Sequence, residues 1–497
     1  MIYDYIIVGG GIGGVASYIL LKSIGKNVLL FEKLDYLGGC AGTFEKDGYL
    51  YNVGASTLVG LKDNMPLNIL LKIAQKDKKE LPVKPIDPSI IVFVKDKVIK
   101  RYKDKQKAFE EINKSFYHKN NKILWDKIYK TADINWENLY KLIPFNPNDK
   151  IDIVKKFFLN CGYFCKNGLK LVFSAKDVIK SYVPDISKDY IDFLNSQILM
   201  TSQGYWDEVS FSIASMGLTY PNLDNYYVFG GINQILEIMV KDEKNIKRKD
   251  KVIKISKDKD IFKVLSKSGE YYSKKVLLNK TIWDFCEILD NQLKDSICEK
   301  NIKKYNKIWS SATLYFNVKD DKNILNEHHY QIIHEKNPYT GSYSFFLSVS
   351  DKDDNIMNKD GFRSITISTH CKIDLWENLT AEEYKEKKEM LKDFILEKLY
   401  EKLPFFKNLE IKNIMVGTPR TFKRYTERYK GTVGGIPLLM EYTMLNYPSG
   451  ITPINGLYIV GDSVFPGQGF PGVILGVFNI ISLIERDFSE IFYKYIF

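Results

Sequence analysis

The sequence predicts an α/β fold in which one nucleotide-binding sheet is assembled from separated stretches of chain, with an α+β domain inserted between them. Three observations carry this. Tyr3-Asp4-Tyr5-Ile6-Ile7-Val8 is a β-branched and aromatic run that leads into Gly9-Gly10-Gly11-Ile12-Gly13-Gly14 and then an apolar segment. Near the other end of the chain, Gly456-Leu457-Tyr458-Ile459-Val460 ends in Gly461-Asp462 and passes through a turn rich in glycine and proline into a second apolar segment. Between them, Val252–Ile255, Ile261–Leu265 and Lys275–Asn279 read as a short β-meander with a turn at Gly269.

The first run is a buried strand by composition. Gly9 and Gly11 allow a tight turn and let backbone approach a pyrophosphate, while Gly14 lets the next helix, expected over Val15–Ile24 and stopped at Gly25, lie close on the strand. That helix aims its N-terminal amides at phosphates. Asn27–Phe31 then forms a second strand and delivers Glu32, whose carboxylate can accept hydrogen bonds from ribose hydroxyls. Strand, glycine turn, helix and closing acid, in that order, separate a dinucleotide fingerprint from an ordinary glycine-rich turn. After Glu32, the Gly38-Gly39 pair calls for backbone running where a side chain would collide with the cofactor.

At 497 residues the chain exceeds what one core usually supports, so two intertwined domains are expected. The expected pieces are nucleotide-domain segments 1–62, 216–290 and 416–497, a helical part of the second domain over 63–215, and a sheet part over 291–415. Hydrophobic residues at 45% describe a globular protein with ample core. The net charge of +11 comes from lysines dispersed among acids, without a compact basic block, so nucleic-acid binding is not expected. A basic face that settles on anionic lipid is the alternative to a merely solvated surface. Six cysteines form no CxxC and no ligand spacing, and His328-His329 lies in a polar stretch, so no metal is expected. The first apolar run leads straight into glycines, and Val473–Ile484 is too short to span a bilayer. The expected setting is a reducing cytoplasm, with any membrane contact peripheral.

From about residue 64 to 203 the pattern turns helical and lysine-rich. Leu67–Lys76 and Ile153–Val172 mix apolar with basic residues and read equally as membrane-surface helices or as core helices. Gly230-Gly231 can open a helix to about Val240. Ala312–Val318, Ser344–Val349 and Ser364–Thr369 alternate as strands of a second sheet. Residues 380–402 read as one charged amphipathic helix. At the C-terminal end, Asp462 closes a strand where it can bond a ribityl hydroxyl or sit beside the pyrophosphate. The following turn has glycines for close approach and Pro471 suited to a first helical turn. A helix N-terminus there favours negative charge on a reduced ring system. A plain strand–turn–helix with Asp462 as N-cap is the structural alternative.

The two ends together resemble the FAD-dependent phytoene desaturase and carotenoid isomerase group of the amine-oxidase-like flavoproteins. The resemblance rests on Gly9–Gly14, Glu32, Gly38-Gly39, Gly48-Tyr49 with Val53-Gly54, and Gly461-Asp462-Ser463-Val464-Phe465-Pro466-Gly467-Gln468-Gly469. Thr418-Pro419-Arg420-Thr421-Phe422, Arg424-Tyr425 and Gly431 also look like the stretch before the last flavin motif. It covers both ends and residues 220–290, and the C-terminal string looks closer to the isomerase branch. Cys40 stands where amine oxidases commonly carry arginine, which argues against amine oxidation, and Asn52 stands where aspartate is frequent. The resemblance implies bound FAD and an apolar polyene substrate that is desaturated, saturated or isomerised at reduced flavin. The flavin carries the difficult step, so no side chain is assigned as catalytic, and Cys40 is read as a wall residue. The expected cofactor contacts are Gly9, Gly11, Ile12, Gly13, Gly14, Glu32, Lys33, Gly38, Gly39, Cys40, Ala41, Val252, Gly461, Asp462, Gly469, Phe470 and Val473. A flavoprotein oxidase of smaller polar substrates such as amines, and a flavin-free carrier of prenyl groups, are the other two classes. Oligomeric state is not read from the sequence.

Overall fold

The computed structural model describes the whole chain except residues 55, 139, 163–167, 295–296, 443–445 and 497. Its first sheet grows from the strand Ile2–Val8, buried from Tyr5 onward, which pairs in parallel with Val28–Phe31 on one side and Gly269–Leu278 on the other. Ile246–Lys247 extends the edge beyond Val28–Phe31. Gly269–Leu278 is the last strand of the antiparallel meander Val252–Asp258, Ile261–Ser266, Gly269–Leu278. Its final residues, Val276 to Leu278, leave the meander and pair in parallel with Leu457–Ile459. Residues from both ends of the chain and from its middle therefore share one sheet.

Helices Ile12–Ser23 and Gly469–Ile484 pack on one face of that sheet, with Val15, Leu20, Ile474 and Val477 in a common core. The first helix opens at Ile12 rather than Val15, because Gly11 in extended conformation is its N-cap. Pro66–Ile73 joins the same core with Leu67, Ile69 and Leu70 fully buried, so Leu67–Lys76 is not a surface helix. Gly230 and Gly231 precede a short helix, Gln234–Met239.

The second sheet runs in the order Ile411–Gly417, Trp309–Lys319, Phe362–Lys372, Ser344–Val349, His329–Ile333, Ile90–Val94, Lys97–Arg101. The helix Ala381–Lys402 lays Leu391, Ile395 and Leu399 into the core against it. Helical structure over 64–203 fails at Val83–Pro85, Ile90–Val94 and Lys97–Arg101, which are strands. The last two form a hairpin turning at Lys95, whose φ is +49°. Ile99 and Arg101 face inward while Val98 and Lys100 face out, so the period of two was present but diluted by lysines. His329, expected in a polar stretch, is 2% exposed on a buried strand. Cys286 and Cys298 are joined by a disulfide, against the reading of uniformly reduced thiols. Cys40, Cys161 and Cys371 are free.

Candidate functional site

The glycine turn is shaped by what lies against it. Gly9 has φ +100° and its carbonyl lies where a Cβ on Gly14 would be, at 1.9 Å. Gly14 is therefore fixed by helix-on-strand packing. Gly11 has an ordinary φ of −69°, and a Cβ there would sit 2.5 Å from Asn279 Oδ1. One on Gly13 would sit 2.8 Å from Asn279 Nδ2 and 3.2 Å from the Gly461 nitrogen. Asn279, at the carboxyl end of its strand, donates Nδ2 to the Val460 carbonyl at 3.0 Å and so ties the two glycine turns together.

Glu32 closes the next strand at 7% exposure. Its carboxylate accepts from Gly10 N at 2.7 Å and Leu34 N at 2.8 Å, so it also staples the turn it follows. Burial raises its pKa against those two bonds. Lys33 reaches Glu427 at 3.5 Å, and Lys251 reaches the same carboxylate at 2.7 Å. Next along the wall, Arg428 Nη2 lies 2.9 Å from both oxygens of Asp462 and donates to the Gly434 carbonyl at 2.7 Å. Burial opposes the Arg428 charge, but the Asp462 carboxylate outweighs it and holds the guanidinium firmly protonated. Asp462 does not cap the following helix, whose N-cap is Gln468 with no side-chain cap bond. Burial pushes the Cys40 thiol up, so the Gly38-Gly39-Cys40 turn adds no charge of its own.

These residues line one end of a cavity of about 1280 Å³. A drug-sized pocket is at most about 1,000 Å³, so there is room for more than one molecule. Beyond the dinucleotide turn its wall is mainly apolar, with Phe145, Met200, Ile213, Met216 and Phe346 among its lining. Some polar groups on that wall bond to one another: Gln331 Nε2 donates to Ser344 Oγ at 3.3 Å, and Thr369 Oγ1 donates to the Ser344 carbonyl at 2.8 Å. His370 also lines the cavity, and burial drives its pKa down to about 4, which keeps the imidazole neutral near pH 7. Among the described lining residues, no hydroxyl or thiol is hydrogen-bonded to a histidine ring, the pairing that nucleophilic catalysis needs; Thr369 Oγ1 reaches only the backbone carbonyl of His370, at 3.4 Å. At the far end lies the helix Lys150–Leu159, none of whose described residues is buried. Val154, Phe157 and Phe158 line the cavity there and are nevertheless 55%, 52% and 70% exposed, which makes this helix the cavity mouth.

Comparison with known proteins places this geometry. Residues 7–72 match the NAD(P)-binding Rossmann-like domain. Prolycopene isomerase 2, a chloroplast protein of an Oncidium hybrid cultivar, is 30% identical over 94% of this chain and 81% of its own. The chain belongs to the carotenoid isomerase and desaturase family. A 1-hydroxycarotenoid 3,4-desaturase of Flavobacterium is 24% identical over 95% of the chain and 96% of its own. Among solved structures, putrescine oxidase shares the fold, with a TM-score of 0.62 at 14% identity over 99% of both chains. As a carotenoid isomerase and desaturase family member, the chain is an enzyme of the oxidoreductase–isomerase kind with a Rossmann-type nucleotide groove.

Within this family fold, sixteen of the residues expected at the cofactor line the cavity: Gly9, Gly11, Ile12, Gly13, Glu32, Lys33, Gly38, Gly39, Cys40, Ala41, Val252, Gly461, Asp462, Gly469, Phe470 and Val473. Gly14 does not; it packs behind the turn. Asn52 is not at the cavity either, since its Oδ1 accepts from Thr43 Oγ1 and Ile232 N and fastens two loops. Sequence reasoning missed Asn279, Glu427 and Arg428. Asn279 was detectable as a polar residue ending a parallel strand at its carboxyl end, where ligands bind in open α/β sheets. Glu427 and Arg428 sit on a loop, Glu427 at φ +54°, and no local pattern marks them.

Proposed function

We propose that this protein is an FAD-dependent enzyme acting on an apolar polyene, by desaturation, saturation or cis–trans isomerisation at reduced flavin. The observation that carries the reading is the continuity of one mainly apolar cavity, from the dinucleotide turn to an exposed apolar mouth. The bound flavin would supply the electron chemistry that the lining side chains lack. The chain itself positions and shields. The glycine turn and the N-terminus of Ile12–Ser23 receive phosphates, and Glu32 and Asp462 offer carboxylate oxygens to sugar hydroxyls. Gly469–Ile484 points its first turn into the cavity, where its dipole favours negative charge on the reduced ring. The apolar wall keeps water from the reacting carbons. The isomerase relative supports a cis-polyene as the first substrate to assay, and the desaturase relative supports net redox chemistry on the same class. The amine reading has the shared fold alone in its support.

A long polyene does not cross water at a useful rate, and the mouth helix suits uptake from lipid. Ile151, Val154, Phe157, Phe158 and Leu159 project from a helix that also carries Lys150, Lys155 and Lys156. Asp149 and Asp152 are engaged by backbone amides of Ile151 and Asn146. Apolar residues with excess lysine match an anionic bilayer surface. Tyr163 and Phe164, part of the same expected segment, lie outside the described residues.

The purified protein should be yellow, release FAD on denaturation, and shift the absorption bands of an apolar polyene when both are incubated together. Colourless protein, or flavin reduced by primary amines while polyenes are untouched, overturns the proposal.

A further inference from the structure

The residue directly after the Gly38-Gly39 pair is Cys40, which lines the cavity. Its thiol is neutral, yet the groove must accept a diphosphate. The lysines of that wall are already committed to acids: Lys33 and Lys251 share Glu427, and Lys280 faces Asp284 at 3.8 Å. Arg428 is paired as well, with Asp462, but it keeps a donor to spare. A single nitrogen, Nη2, satisfies both Asp462 oxygens and the Gly434 carbonyl, while Nε is buried with no partner. A buried donor left unpaired is costly, so such a group persists where a ligand completes it. The side chain lines the cavity together with Cys40, Gly11 and Gly461, which puts it at the seam of the two glycine turns.

The loop that carries Arg428 is held from three sides. Glu427 is bound by Lys33 and Lys251, the Tyr429 amide donates to Asp284 Oδ2 at 2.7 Å, and Gly431 packs so tightly that a Cβ would lie 2.0 Å from the Pro419 carbonyl. The guanidinium is thus presented in a fixed position, and a planar fork of donors matches two phosphate oxygens better than an ammonium does. We propose that Arg428 is the residue that holds the diphosphate of the bound dinucleotide, supplying from the C-terminal segment the cation that the Gly38-Gly39-Cys40 turn lacks. This rests on the reading of the groove as a dinucleotide site.

The test compares two ligands that differ in the diphosphate, FAD and riboflavin, by fluorescence titration of deflavinated protein. Arg428→Met should weaken FAD on the order of tenfold to a hundredfold, as expected for one charge-assisted bond lost, and weaken riboflavin, which meets Asp462 but has no diphosphate, far less. Cys40→Arg added to Arg428→Met should recover part of the FAD affinity. If Arg428→Met does not fold, Arg428→Lys keeps the charge and should still lower FAD affinity severalfold with riboflavin affected far less. Equal losses for both ligands would make Arg428 merely a prop for Asp462, and no loss for FAD would remove it from the site; either overturns the proposal. Wild-type protein that binds neither ligand overturns the dinucleotide reading instead.

Discussion

At the residue scale, the glycines of the N-terminal turn are not equivalent. A methyl group on Gly14 meets a backbone carbonyl at 1.9 Å, whereas one on Gly11 meets the movable end of the Asn279 side chain. Gly14→Ala should therefore destabilise the fold by about 1–3 kcal/mol or more, the range for forcing an extra carbon into a packed site. Gly11→Ala should cost less stability and show its effect in cofactor affinity. Urea midpoints and flavin titrations of the two variants check this, and equal stabilities would contradict it. Motif spacing located both glycines and gave Gly14 to helix-on-strand packing, as the structure has it; what it could not show is that Asn279, from a distant strand, lies against Gly11. Buried histidines supply a second prediction. His329 and His370 are driven by burial from the ordinary 6.5 to about 3 and about 4. The unfolded chain then binds more protons below pH 6.5, so stability present above that pH is lost as pH falls toward 4 and 3. Each contributes a slope of at most ~1.4 kcal/mol per pH unit. Denaturation at pH 7.5 and pH 5 should show the drop, and His370→Gln should make it shallower; an unchanged slope contradicts the burial account for that residue.

At the scale of elements, two segments that both mix apolar residues with lysine met opposite fates. Pro66–Ile73 disappears under the first sheet's helices, and Lys150–Leu159 stays exposed at the cavity mouth. Both are apolar helices dotted with lysine, so periodicity alone could not separate them; what decides is whether another element covers the apolar face. The hairpin Ile90–Arg101 escaped notice for a related reason. Its exposed positions carry Lys95 and Lys100 beside Val98, which reads as helix surface until its strand partner His329–Ile333 is known. The mouth helix gives the element-scale prediction. Phe157→Ser with Phe158→Ser should lower binding to anionic vesicles on the order of tenfold or more, from lost apolar burial, while flavin content stays the same. Co-sedimentation measures it, and undiminished binding by the double variant would place the lipid contact elsewhere. Among the described residues no helix is long and apolar enough to cross a membrane.

At the scale of the molecule, a nucleotide-type sheet built from both ends of the chain and a second seven-stranded sheet share one cavity. The sheet assembled from three separated pieces was legible because each piece carried its own signal: a glycine turn, a meander and a Gly-Asp strand end. The nucleotide-groove end of the cavity was legible for the same reason. The apolar end was not, since Phe145, Met200 and Phe346 read as ordinary core residues until the fold gathers them around an open volume. The central claim, that this cavity brings an apolar polyene to a flavin, is tested most directly by anaerobic turnover. A cis-polyene in lipid vesicles is incubated with the flavin-loaded protein, oxidised in one vessel and reduced in the other, and the polyene is separated and its spectrum recorded. The account predicts a new polyene isomer or a changed number of conjugated double bonds in at least one vessel. A polyene unchanged in both, with the flavin still reduced by a small amine, would contradict it.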